Sequence, residues 1–85
     1  MVTPSKIFTH IARRTDILGG EPIIAGTRIP VRVIVQTARF SHDLVEVNES
    51  YPILTRAEIE EALAFYAANR DEIDRYIAEN EDDED

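Results

Sequence analysis

Apolar positions change their period along the chain, and each change marks a new kind of element. Ile7, Thr9 and Ile11 alternate, which predicts a short strand between residues 7 and 13, after a loose arm over residues 1–6. From Ile17 to Val31 the pattern holds all three glycines and two of the four prolines, with no helical period. Gly19-Gly20 admits positive φ, and Pro22 restrains the backbone just ahead of the β-branched pair Ile23-Ile24. Ala25-Gly26 then turns the chain into Thr27-Arg28-Ile29. This reads either as a short β-hairpin or as two short extended pieces around a tight turn, so short strands are expected within residues 7–29.

After Pro30 the period becomes helical. Val31, Ile34, Val35 and Ala38 form one stripe, predicting a first helix over 30–40 with Arg32, Gln36 and Arg39 on another face. Ser41-His42 makes a turn, and Asp43 with Glu46 offers an acidic capping box to a second helix over 43–50, which stops ahead of Pro52. Thr55 and Glu58 form a T-x-x-E capping box for a third helix over 55–69, striped by Ile59, Ala62, Leu63 and Tyr66. A second apolar face, Ala64, Phe65 and Ala68, calls for cover from another helix or another subunit. Asn69 with Glu72 offers one more capping box, for a fourth helix over 70–78 bearing Ile73, Tyr76 and Ile77. The expected fold class is mostly α: short N-terminal β-strands or a hairpin, a trihelical helix-turn-helix, and a C-terminal helix.

Charge changes this picture in one respect. Seventeen acids against nine basic residues give −8 over 85 residues, yet the charges are segregated. Residues 1–42 carry six basic side chains and two acids, for +4, whereas residues 43–85 carry three against fifteen, for −12. Such a split suggests one surface for an anionic partner and another that avoids it, or two solvated faces. The acidic run 79–85 has no apolar residue and is expected to be a disordered tail. No apolar run approaches the length of a membrane span, the start has no signal-peptide core, and there is no cysteine. A cytoplasmic protein without disulfides or thiolate metal sites is expected. A chain this small, with no covalent staple, gains stability by pairing, so a homodimer is expected.

In a trihelical helix-turn-helix, residues at the N-terminus of the third helix reach base edges in the major groove. Here those are Thr55 and Arg56, with Arg28, Arg32, Arg39, Lys6, Arg13 and Arg14 available for further contacts to DNA. Glu58, Glu60 and Glu61 on the same helix oppose that role, and Arg56 can instead pair with Glu60 at i+4. Thr27 and Arg28 either brace the turn, through Asp16 or Glu21, or face a partner. Phe65, Tyr66, Tyr76 and Ile77 are candidates for intersubunit contact, each equally able to serve the intradomain core. Catalysis finds no support. His10 and His42 are far apart without metal-ligand spacing, and the glycines form neither a G-x-G-x-x-G nor a P-loop pattern. Neither an enzyme nor a cofactor, metal or small-molecule substrate is expected.

The run Gly20-Glu21-Pro22-Ile23-Ile24-Ala25-Gly26-Thr27-Arg28-Ile29-Pro30-Val31 resembles the G-x-P-x-I-x-G-T-R-I-x-V hallmark of the domain-of-unknown-function-433 family. Tyr51-Pro52-Ile53-Leu54-Thr55 resembles its Y-P-x-L segment, and Ala62-Leu63-Ala64-Phe65-Tyr66 its A-L-x-Y/F-Y segment. The resemblance spans roughly residues 11–77. It implies a homeodomain-like helix-turn-helix preceded by short strands, and a VapB-type antitoxin that sequesters a PIN-like ribonuclease toxin and represses its own operon by binding operator DNA. One departure is visible. Phe40-Ser41-His42 stands where the family usually carries Gly before the second helix, which points to a longer or less sharply bent turn. A non-DNA-binding dimeric interaction module of the same fold is the alternative. In the antitoxin reading the acidic C-terminal segment could occupy a basic RNA-binding groove on the toxin.

Overall fold

A computed structural model describes residues 8–41 and 43–82. The arm over residues 1–6, Ile7 of the expected first strand, His42 and the last three residues lie outside this range. Strand β1 (Ile11–Ala12) pairs antiparallel with β2 (Ile23–Ile24), in the register Ile11↔Ile24 and Ala12↔Ile23. Four helices follow: α1 (Val31–Ser41), α2 (Leu44–Ser50), α3 (Arg56–Ala68) and α4 (Arg70–Asp82). No helix among the described residues is long and apolar enough to cross a membrane.

Both strand readings hold in part. The two-stranded ladder joins β2 to a strand on the far side of the connection 13–22, while Ile23 also bridges Pro30 across the tight turn. That turn is closed by Ile24 N–H donating to Ile29 O at 2.8 Å and Thr27 N–H donating to Ile24 O at 3.0 Å, with Gly26 at φ 82°. The intervening loop reverses through Leu18, Gly19 and Gly20, at φ 52°, 65° and 97°. Leu18 has a β-carbon and sits in a region that costs such a residue about 1–2 kcal/mol. Pro22 keeps Glu21 extended (φ −61°, ψ 143°), and Pro22 O accepts from Val31 N–H at 3.0 Å. The loop is thereby tied to the first turn of α1, which begins just after Pro30.

Helix α1 packs against α2, α3 and α4. Its stripe buries Val31, Ile34 and Val35, which meet Val47, Leu54, Ile59, Ala62, Phe65, Ile73 and Ile77 in one core. Of the second apolar face of α3, Phe65 finds its cover inside the chain, while Ala68 stays exposed. Phe8 meets Phe65 edge-to-face with ring centroids 5.1 Å apart, and the Arg13 guanidinium lies 5.7 Å from the same ring.

Caps account for the helix boundaries. Thr55 and Glu58 form the expected box: Glu58 N–H donates to Thr55 Oγ1 at 3.1 Å, and Thr55 N–H to Glu58 Oε1 at 2.9 Å. Asp43 caps α2 by accepting from Val45 N–H at 2.9 Å, without a reciprocal bond from Glu46. The third expected box does not form. Asn69 looks backwards, its Nδ2 donating to Phe65 O at 3.0 Å, and Glu72 is drawn to Arg13 instead. Helix α4 runs to Asp82, four residues past its expected end and into the acidic run. With Ile73 and Ile77 anchored in the core, each further residue needs only propagation, and the costly nucleus is already formed.

Candidate interaction surface

The cations of the front half were the candidate phosphate contacts, and the fold commits most of them internally. Arg32 lies on the first turn of α1, where the loop ending in Pro22 delivers Glu21 against it. Arg32 Nε and Glu21 Oε2 approach to 2.6 Å, with side chains only 14% and 6% exposed. Neither atom completes a directed hydrogen bond, so the contact is a buried charge pair. Burial pushes the Glu21 carboxyl above its ordinary value against the opposing pull of Arg32. The i, i+4 spacing put Arg32 on the polar face of an isolated helix. In the folded chain the loop covers Arg32 at one end of that face, and Arg32 is an interior partner with little surface for a phosphate.

Three further pairs join the basic half to the acidic half. Arg13 forks onto Glu72 at 2.5 and 2.9 Å; this hydrogen bonding raises the guanidinium and holds the Glu72 carboxyl below the usual carboxylate range. Arg39 Nη2 donates to the Tyr66 hydroxyl at 3.1 Å and to Asp74 Oδ1 at 3.2 Å, while the hydroxyl itself donates to Asp74 at 2.8 Å. His10 engages Glu61 twice, through its backbone N–H at 2.7 Å and its Nδ1 at 2.6 Å. Burial pushes the Glu61 carboxyl up, but the two His10 contacts together hold it below its ordinary value. Part of the charge split is thus answered by long-range pairing within the fold, through Glu61, Glu72 and Asp74.

The helix-turn-helix surface has a different character. Thr55 is occupied by its capping box, and Arg56, well exposed, donates to Glu60 Oε2 at 3.2 Å, the i+4 pair that opposed base reading. Between α2 and the start of α3 runs an open groove of about 320 Å³ lined by Leu44, Val45, Asn48, Glu49, Pro52 and Arg56. Asn48 shapes its rim: its Nδ2 donates to Leu54 O at 2.8 Å, pinning the connection so that Leu54 is buried while Ile53 turns outward. Ile53 is 72% exposed and Val45 53%, and Phe40 at the end of α1 is 86% exposed. Val45 lines the groove and Ile53 follows its Pro52, so these two exposed apolar side chains stand beside it.

The remaining candidates are dispersed. Phe65 and Ile77 are core residues of one chain, Tyr66 is bonded to Asp74, and Tyr76 is partly buried against the core. Arg28 stands exposed on the tight turn and forms no salt bridge with Asp16 or Glu21; Asp16 pairs with Arg14, and Arg28 adds a lesser electrostatic pull on its carboxyl. Among the described residues no three His, Asp or Glu side chains gather to hold a metal ion. Sequence reasoning missed Val45 and Ile53, because periodicity reveals which positions a helix buries and says little about a connection such as Pro52-Ile53. It also missed the Glu21–Arg32 and Arg13–Glu72 partnerships; the charge split was an available signal for the second, while the first joins two residues of the basic half.

Comparison with known proteins agrees with this architecture. Residues 11–66 match the family described as "Protein of unknown function (DUF433)", a span that includes Glu21, Arg32 and the α2–α3 groove and stops before α4. Over 54 residues the chain is 35% identical to "Uncharacterized protein y4eO" of Sinorhizobium fredii (strain NBRC 101917 / NGR234), covering 64% of this chain and 24% of that protein. The chain therefore spans about a quarter of the length of this curated relative. The crystal structure of a DUF433 member protein from Anabaena variabilis ATCC 29413, at 2.00 Å resolution, is similar with a TM-score of 0.75 and 33% identity, over 81% of this chain and 68% of that one. With most of its length matched by the family pattern and its fold shared by a solved member, the chain belongs to the DUF433 family.

Proposed function

We propose that the chain acts through protein–protein contact, as the antitoxin of a type II toxin–antitoxin pair that neutralises a PIN-like ribonuclease, with the α2–α3 surface as its docking face. The observation that carries the mode of action is the open groove beside exposed Val45 and Ile53, on a helix-turn-helix whose own cation Arg56 is paired with Glu60. Burying two such side chains against a partner is worth about 1.5–3 kcal/mol each when complete, enough to anchor an interface. The motif resemblance supports the class of partner; the groove supports the manner of holding it. Homodimerisation belongs to the same reading, with the partner residing at a surface the chain leaves open.

The test is rescue from toxicity. Co-expressing this chain with the PIN-like nuclease encoded beside it is expected to restore growth and to give a complex on size-exclusion chromatography. The Val45→Ser/Ile53→Ser double variant, still folded by circular dichroism, should lose both. Full rescue by the double variant would reject the groove, and no rescue by the parent chain would reject the antitoxin role.

Operator repression is the second reading, favoured by the exposed Arg56 at the start of α3. A salt-titrated gel shift with the chain's own upstream DNA decides it. A specific complex that Arg56→Ala abolishes would support operator binding, whereas none at low salt, for the chain or its toxin complex, would leave the helix-turn-helix as a protein-binding platform.

A further inference from the structure

All eight arginines lie among the described residues, and seven have an evident partner there. Arg13, Arg14, Arg32, Arg39 and Arg56 are ion-paired to Glu72, Asp16, Glu21, Asp74 and Glu60. Arg70 lies 5.3 Å from the Tyr66 ring centre and Arg75 5.8 Å from that of Tyr76, both within cation–π range. Among the described residues Arg28 has neither an acidic nor an aromatic partner.

The backbone carrying Arg28 is nonetheless closely held. Thr27 Oγ1 donates to Ile24 O at 2.8 Å and accepts from Ile29 N–H at 3.0 Å, spanning the residue on both sides. Gly26 at φ 82° makes the bend. The backbone N–H groups of Gly26 and Arg28 donate to no backbone carbonyl among the described residues. This turn, with Arg14 and Ile17 from the preceding loop, lines a concave site of about 260 Å³. A bulk water occupies about 30 Å³, so the site holds a group several times larger. Arg14 enters with its guanidinium oriented, because its Nε and Nη2 donate to Asp16 at 3.1 and 2.9 Å. A guanidinium has five N–H donors, so its Nη1 edge remains unspent.

We propose that the Gly26–Arg28 turn and Arg14 form a binding site for a phosphate group. Two guanidinium groups from separate segments line the cleft, and of the two only that of Arg14 is ion-paired, to Asp16, which leaves the Arg28 charge without a salt bridge among the described residues. A phosphate supplies more acceptor oxygens than a carboxylate, matching the Arg28 fork, the free edge of Arg14 and the turn's unpaired N–H groups. Asp16 is then a positioning residue that orients Arg14. No residue of α2 or α3 lines the site, so it stands independently of the groove proposed for the protein partner. A small phosphomonoester and a nucleic-acid backbone present the same chemistry to it.

The test uses the uniformly ¹⁵N-labelled full chain. Titration with sodium phosphate at pH 7, against sodium chloride at matched ionic strength, is expected to give saturable amide shifts concentrated at Arg14, Gly26, Thr27 and Arg28. Arg28→Gln and Arg14→Gln should each weaken binding at least tenfold, with an unchanged melting temperature confirming the fold. Arg70→Gln, a surface control, should stay within twofold. A second arm replaces phosphate with adenosine monophosphate and with a short single-stranded oligonucleotide. Tighter binding of the oligonucleotide that Arg28→Gln removes assigns the site to a nucleic-acid backbone; retention of the monophosphate alone assigns it to a small ligand. Shifts that fail to saturate, that chloride reproduces, or that Arg28→Gln leaves intact would overturn the proposal.

Discussion

Two regions of this molecule invert the usual placement of side chains, in opposite senses. Under the N-terminal loop a charged pair, Glu21 and Arg32, is buried; on the α2–α3 face the apolar side chains Val45 and Ile53 are exposed. The buried pair is enclosed by the chain's own backbone and ties the motif loop to α1, so its consequences are felt in folding. The exposed pair is only partly covered among the described residues and adds little to the core, so under the proposed function its consequences are expected on association. Departures from hydrophobic-in, polar-out placement therefore carry different meanings according to whether the fold has already answered them.

The largest expected effect comes from breaking the buried pair on one side only. Glu21→Met leaves Arg32 unpaired in the interior and should lower unfolding free energy by about 3–5 kcal/mol, measured by urea denaturation. Adding Arg32→Met should recover most of that loss, since a buried pair replaced by apolar side chains is often neutral or stabilising. A double variant as weak as the single one would show that the pair itself, not the stranded charge, sustains the loop.

Next comes the cap on the helix-turn-helix side. Thr55→Ala opens the box at the start of α3 and should cost about 1 kcal/mol, read as a lower urea midpoint at unchanged slope. The third effect concerns pH. Glu72 is held below its ordinary value by Arg13, so the stability it contributes is full above the unfolded carboxylate pKa of about 4.3 and is lost as pH falls through its lower folded value. Glu61 acts in the same sense, whereas Glu21, raised by burial, favours the fold on its protonated side and loses that contribution as pH rises through its folded value. Glu72→Gln should flatten the acid limb of the stability profile while costing only about 0.2–1 kcal/mol at neutral pH, because Arg13 is about half exposed and its pair is screened. The smallest effect belongs to the exposed region: Val45→Ser with Ile53→Ser should change stability by no more than about 0.5 kcal/mol. A larger loss would place these side chains in the fold's own packing and remove the contrast.

Much of the architecture was legible in order. The stripes of α1 and α4, Ile59 and Ala62 on α3, the Thr55–Glu58 box and the stop before Pro52 are all local, set by side chains within a turn or two of each other. The expected α3 stripe, by contrast, placed Leu63 and Tyr66 in the core where Phe65 is the buried residue. Legibility failed where an alternative partner lay far along the chain. Glu72 satisfied the spacing of a cap for α4, yet Arg13, remote in sequence, offered a fork and a full charge. Phe65 looked uncovered because Phe8 precedes the first helix by more than twenty residues. The candidate surface was the least legible part, since a groove is a relation between elements that no single period encodes.

By itself, the sequence determined where helices begin and end to within a few residues, most of the apolar faces, that the motif segment turns at Ala25-Gly26, and which family the chain resembles. Those properties rest on backbone sterics and on interactions between near neighbours. Only the tertiary structure decided which charges are spent and which are open: Arg32 turned inward, Arg13 and Arg39 bonded to α4, Arg28 left facing solvent, and Val45 and Ile53 left uncovered. That outcome depends on which segments meet once the core has formed, and a charge or an apolar side chain has no fixed meaning until its neighbour in space is known.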